Sequence, residues 1–172
     1  QKEKIHMRYL FIFLSLICSA VMFSTFLTFR AQRNLLRPDE TSNRINSLNE
    51  FNNQFSYFPN ITATSIPIQA LRASFAISER KFALGDSLLD LAEKDNPYIG
   101  YTEYIKAKTY YGLGNIDSST FYAERAFKKW PKSIDNFTMY LKTLAFKGDT
   151  LAIVSAFDYI DDIFRDRAPY SN

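Results

Sequence analysis

The sequence predicts an all-α protein in which one transmembrane helix precedes a series of helix pairs. Three observations carry this. An uncharged apolar run occupies residues 9–29. Downstream, apolar residues recur at three- and four-residue steps, punctuated by Gly-Asp and Gly-Asn dipeptides. Pro and Gly number only 6 and 5 in 172 residues, too few for a turn-rich β fold, and Leu, Ala, Lys, Glu and Tyr are plentiful.

The N-terminal tail, residues 1–8, leads into YLFIFLSLICSAVMFSTFLTF, whose 21 residues hold no charge, Pro or Gly. About 20 such residues are needed to cross roughly 30 Å of hydrocarbon. Arg8 and Arg30 close the run, Tyr9 stands where an interfacial aromatic is expected, and its Ser and Thr hydroxyls can bond back to helix carbonyls. A cleaved signal peptide fits less well, because its apolar region is normally about 7–15 residues long and this run continues past Cys18-Ser19-Ala20. An acylated Cys18 fits less well again, since Ile17 precedes it where a small residue is usual.

The net charge of +3 resolves into two parts. Residues 1–37 carry Lys2, Lys4, Arg8, Arg30, Arg33 and Arg37 against Glu3, a net of +5, and residues 38–172 carry 15 basic and 17 acidic side chains, a net of −2. The basic excess suits lipid headgroups beside a span. It argues against nucleic acid as a partner, which needs a concentrated basic face on the folded domain. Cations are nearly balanced across the span, so charge leaves the topology open. A short tail and a large C-terminal part are compatible with an N-in arrangement and an exported domain.

Residues 30–66 read as a juxtamembrane connector. Within it Ile45, Leu48, Phe51 and Phe55 form one face of a short amphipathic helix with an Asn-rich opposite face, and residues 57–67 form a Pro-, Ser- and Thr-containing loop. From residue 67 to 172 the chain alternates helical patterns with turns at Gly85-Asp86, Gly114-Asn115 and Gly148-Asp149. The expected pairs are 68–84 with 86–95, 98–113 with 117–129, and 133–147 with 150–165.

The last two turn glycines are 34 residues apart and the first two 29. The middle unit, YTEYIKAKTYYGLGNIDSSTFYAERAFKKWP, places Ala107, Tyr110, Gly114, Ser119, Ala126 and Pro131 in an ordered small–aromatic–turn–small–small–Pro series. In spacing and residue type this resembles the tetratricopeptide repeat (TPR), with Glu103 where Trp is common and Ala123 where a large aromatic is usual. The third unit resembles it less, with Leu141 and Ile153 at small positions, Phe157 restoring an aromatic and Pro169 following. The resemblance implies a TPR-like α-solenoid of about three helix pairs in residues 67–172.

It also implies a concave groove lined by the first helix of each pair. Carried over, its positions are Arg72, Phe75, Glu79 and Phe82, then Tyr101, Tyr104, Lys108 and Tyr111, then Asp135, Thr138 and Lys142. Tyrosines interleaved with Lys suit an extended peptide, a protein segment or a glycan, because Tyr offers a rigid face and a hydroxyl. The competing reading packs several of these tyrosines between neighbouring helices. Family members that clamp a carboxylate terminus use Lys and Asn; here Lys108 and Lys142 stand without the Asn. A membrane-anchored scaffold that binds a protein or peptide is the expected function.

Catalytic material is sparse: the one His, His6, lies beside the apolar run and the one Cys, Cys18, lies in it. No Gly-rich phosphate loop or strand-turn-helix nucleophile motif occurs, so neither an active site nor a cofactor is expected within these residues. Asp158, Asp161 and Asp162 share a helical face and read as a solvated acidic face rather than a metal site, with Arg165 and Arg167 nearby. The sequons at Asn60 and Asn136 are short enough to arise by chance.

A second expectation comes from another class. The chain starts at Gln1 and ends at Ser171-Asn172, as a piece of a longer polypeptide would. An apolar span followed by NPYIGYTEYIKAKTYYGLGNIDSSTFYAERAFKKWP resembles the C-terminal part of O-antigen ligase or polymerase family membrane proteins of Bacteroidetes. That resemblance implies a bacterial inner membrane with the repeats on the periplasmic side. It also implies glycosyl-transfer chemistry upstream, and a glycan or lipid-linked glycan as partner.

Overall fold

Side-chain caps on exposed N–H groups start four of the described helices, and left-handed residues close three. The computed structural model describes residues 2–36, 45–55 and 59–165. Within them run α1 (Lys2–Leu36), α2 (Leu48–Gln54), α3 (Ile68–Ser78), α4 (Phe82–Asp95), α5 (Tyr101–Gly112), α6 (Ile116–Lys129), α7 (Ile134–Lys147) and α8 (Thr150–Arg165). No strand occurs among the described residues, where one isolated bridge joins Ile61 to Pro67. Arg37, the polar stretch 38–42, Tyr57, Arg167 and Pro169 lie outside the described residues.

Two compact units divide the chain, Gln1–Leu88 and Leu89–Asn172. In the first, α1 continues unbroken through Arg30, and its Met7–Arg30 stretch, with 18 residues of mean hydropathy 2.4 within it, is long and apolar enough to cross a membrane. Hydroxyls in that stretch bond back as the sequence predicts: Ser19 to the Ser15 carbonyl at 2.8 Å and Thr25 to that of Val21 at 2.8 Å. Thr28, bonded to the Ser24 carbonyl at 3.1 Å, is buried, while most described side chains of this helix are exposed. α2 packs against both α1 and α3.

Ser47 starts α2 by accepting from the Glu50 N–H at 3.2 Å, while the Glu50 carboxylate takes the Asn46 N–H at 2.7 Å. Ile45, Leu48, Phe51 and Phe55, expected to share a face, are all buried, and Asn52 and Asn53 are exposed. The stacked rings of Phe51 and Phe55, 4.3 Å apart, form the centre of this small core.

The second unit is built from α5, α6, α7 and α8, each packed on the next. Asn115, Ser133 and Asp149 accept from the N–H groups of Ser118, Asn136 and Ala152 at 3.1, 3.3 and 3.0 Å, capping α6, α7 and α8. Gly114 (φ 76°) and Gly148 (φ 70°) take the left-handed turns that end α5 and α7, at the positions the dipeptide pattern marks. Ala107, Ser119, Ala123 and Ala126 are fully buried, and the Ser119 hydroxyl donates to the Ala107 carbonyl at 2.8 Å, so α5 and α6 meet through small side chains. Tyr110 and Tyr122 stack at 5.5 Å beside that contact.

One expected boundary is corrected. Gly85-Asp86 is no turn: both residues lie inside α4, and the reversal falls at 79–81, where Arg80 adopts φ 61°. The N–H groups of Arg80 and Lys81 close that end on the carbonyls of Ile77 and Ala76 at 2.9 Å each. Gly85 serves packing instead, since a Cβ there would stand 2.5 Å from Cγ1 of Ile77. The left-handed residue is an arginine, so reading Gly as the stop misplaces the turn by about one and a half helical turns.

Gly100 tests the packing of the second unit. It holds φ 66°, and a Cβ would come within 2.7 Å of the Ala126 carbonyl oxygen, so Gly100→Ala should lose about 1–3 kcal/mol in denaturant unfolding. Gly112, at the end of α5, has nothing within 4 Å of a built Cβ. Gly112→Ala should gain about 0.5–1 kcal/mol by the same measurement.

Candidate partner-binding face

The eleven positions taken from the repeat pattern separate into one set in each unit. In the first unit, Arg72, Phe75 and Glu79 do lie on one side of α3, and α2 covers that side. The Arg72 guanidinium donates to Asn52 Oδ1 and Gln69 Oε1 at 2.7 Å each and sits 5.7 Å from the Phe51 ring centroid. Phe75 meets Phe51 at 5.2 Å. Glu79 accepts the Leu48 N–H at 2.7 Å and the Lys81 ammonium at 2.6 Å, and these two donors, Lys81 foremost, hold its carboxyl below the ordinary range. Phe82 belongs to α4 rather than to the first helix of its pair, as the displaced turn requires.

In the second unit α5 and α7 lie in contact and bring the remaining seven positions to one face. At one end the rings of Tyr101 and Tyr104 are 5.8 Å apart. Burial, then the Tyr104 hydroxyl and the Asp135 carboxylate, push the Tyr101 hydroxyl up to about 12. Tyr104 is raised by the same burial and by Asp135. At the other end the Lys142 ammonium stands 4.3 Å from the Tyr111 ring centroid, and Phe146 meets Tyr111 edge-on at 6.1 Å. Lys108, Asp135, Thr138 and Lys142 are exposed, and the three tyrosines are half-buried.

The packing of tyrosines between neighbouring helices is observed for two of them. Tyr104 and Tyr111 pack against the buried cluster of Ala107, Ala123 and Met139, while part of each ring remains open to solvent. Phe146 is a member of this face that sequence reasoning missed. Its signal was present, because 135, 138, 142 and 146 continue one helical stripe.

The face is fixed from behind by polar groups. Asn136, 2% exposed, donates from Nδ2 to the Ile99 carbonyl at 3.2 Å and to the Ala126 carbonyl at 2.9 Å, joining the start of α7 to the lead-in of α5 and the end of α6. Glu103 occupies the position where Trp is common in the repeat pattern, and it is buried. Its carboxylate pairs with Lys129 and lies 3.8 Å from Arg125, both on α6, and Lys129 also reaches Glu93 at 3.5 Å. An ion pair thus stands where an indole would fill the space, and its partners come from the facing helix.

Elsewhere, Asp161 pairs with Arg165 one turn on, and no cluster of metal-ligating side chains occurs among the described residues. Comparison with family models, with curated proteins and with solved structures finds no match to the chain.

The raised tyrosines make a pH prediction. The folded value for Tyr101 lies above its ordinary 10.0, so its protonated form is favoured in the folded state. That contribution is complete below about pH 10 and is lost as pH rises through about 12. Ultraviolet tyrosinate titration should show a late phase that Tyr101→Phe removes, and the same substitution should flatten the alkaline fall in stability.

Proposed function

We propose that the chain is a membrane-anchored helical-repeat scaffold of tetratricopeptide type that binds an extended segment of a protein partner across the α5–α7 face. The observation that carries this reading is the face itself. Half-buried aromatic rings, Tyr101, Tyr104 and Tyr111, alternate with exposed polar and charged side chains, Lys108, Asp135, Thr138 and Lys142. Rings already held by the core lose little freedom on binding, and the charged rim selects register. The half-open rings give area for side chains, while Asp135 at one end and the two lysines at the other give polarity along the stripe.

The 34-residue spacing of two left-handed turn glycines supports the repeat reading, as do the small residues where α5 and α6 meet. α1 supports the anchor, because it is long and apolar enough to span a bilayer. Anchoring raises the effective concentration of a partner held at the same surface, so modest affinity suffices.

Site-specific photocrosslinking from the full chain in membranes tests the proposal. A benzophenone side chain at Lys108 or Thr138 should yield a discrete adduct that Lys142→Glu reduces about tenfold, as loss of one well-placed charge contact would. A benzophenone at Leu151, which is 81% exposed on α8, should yield none. Equal adducts from all three positions would count against this face.

A further inference from the structure

The first unit holds a second feature, at the C-terminal end of the apolar helix. A cleft of about 540 Å³ lies between α1 and the loop 59–63, walled by Met22, Phe26 and Phe29 on the helix and by Pro59, Ile61 and Ala63 on the loop. We propose that this cleft takes an acyl chain of a bilayer phospholipid and that loop 59–63 is immersed in the membrane interface. The inference rests on the reading of α1 as a membrane span.

Depth is the first argument. Met22 stands eight residues before Arg30, about 12 Å along the helix axis, so the cleft runs from the headgroup boundary into the hydrocarbon. The medium that meets it there is acyl chain, not water. The chemistry of the wall is the second. Its hydroxyls are spent on their own surroundings: Thr25 on the Val21 carbonyl at 2.8 Å, Thr28 on that of Ser24 at 3.1 Å, and Thr62 on the Ile66 N–H at 3.0 Å and on Thr64 at 3.1 Å. A ligand acceptor would find the Thr25 and Thr28 hydrogens already donated, and hydrocarbon needs none.

The loop backbone is the third argument, because irregular backbone tolerates lipid better the more of its polar groups are paired. Here the N–H groups of Thr62, Ser65 and Ile68 donate to the carbonyls of Ile66, Thr62 and Asn60 at 2.9, 3.0 and 2.8 Å. Finally, Arg30 and Arg33 are exposed just beyond Phe29, at the level where a phosphate headgroup would lie above a chain in the cleft.

The test uses the full chain in phosphatidylethanolamine–phosphatidylglycerol vesicles. In a Cys18→Ser background, which removes the one cysteine, nitroxides at Ala63→Cys, Ser15→Cys and Asp117→Cys report collision with oxygen against a water-soluble nickel complex. The Ser15 and Ala63 labels should both favour oxygen, and the Asp117 label should favour nickel. A phospholipid with a diazirine on its acyl chain should form adducts on residues 59–63. Ala63→Asp, at an exposed position, and Ile61→Asp should each cut those adducts about tenfold with helical circular dichroism retained. A nickel-accessible Ala63 label beside a hydrocarbon-embedded Ser15 label would overturn the inference and leave the span standing. Nickel access at both would overturn the two together. Adducts unchanged in both variants would overturn occupation of the cleft.

Discussion

The geometry of the second unit hangs on one buried amide. Asn136 sits at the start of α7 and spends its two Nδ2 hydrogens on the Ile99 and Ala126 carbonyls, so three chain segments converge on one side chain. The Ile99 carbonyl lies in the loop before α5, and the Ala126 carbonyl, in the last turn of α6, takes the Asn136 amide in addition to the Trp130 N–H at 3.1 Å. The close approach at Gly100, which tolerates no Cβ against Ala126, follows from the same convergence. Because α5 and α7 are registered at this point, Tyr101 and Tyr104 lie beside Asp135, and about two and three turns along α7 Lys142 and Phe146 come to Tyr111. The candidate face is thus a consequence of how the helix ends are pinned.

The first unit uses the corresponding side of α3 differently. Arg72, Phe75 and Glu79 are occupied by the chain's own α2, through an aromatic contact, a guanidinium–amide bond and a carboxylate that takes the Leu48 N–H. An amphipathic helix of seven residues has little stability alone, and four buried apolar side chains with these bonds hold it. Since α2 also packs on α1, the folded part of this unit is attached to the apolar helix by contact as well as by sequence. Thr28, a buried polar residue on that helix, lines the cleft that Pro59, Ile61, Thr62 and Ala63 share.

Electrostatics divides along the chain in keeping with these roles. The basic excess belongs to residues 1–37, beside the apolar run, whereas the remainder is slightly acidic. Charges in the second unit are mostly spent locally, as in Glu103 with Lys129 and Asp117 with Lys147 at 2.8 Å. The Asp117–Lys147 pair, on exposed helix faces, contributes little to stability, whereas Glu103 is buried. What these pairs leave on the α5–α7 face is a short stripe of mixed charge over tyrosines.

The sequence by itself determined the helical class, the apolar helix, the amphipathic face of α2, two of three turns and the helices around them. These follow from local rules: hydrophobic period, side-chain caps and glycine at left-handed positions. It also marked seven positions that do share one face of the second unit. Only tertiary structure decided that Gly85 lies inside a helix, because the residue that turns the chain there, Arg80, carries no local signature of a left-handed backbone. Only tertiary structure decided that α2 covers Arg72, Phe75 and Glu79, that Glu103 is ion-paired in place of an aromatic, and that Asn136 joins three segments. Each of these depends on which residues distant in sequence come within hydrogen-bond or van der Waals reach, and periodicity along one helix holds no information about its neighbours.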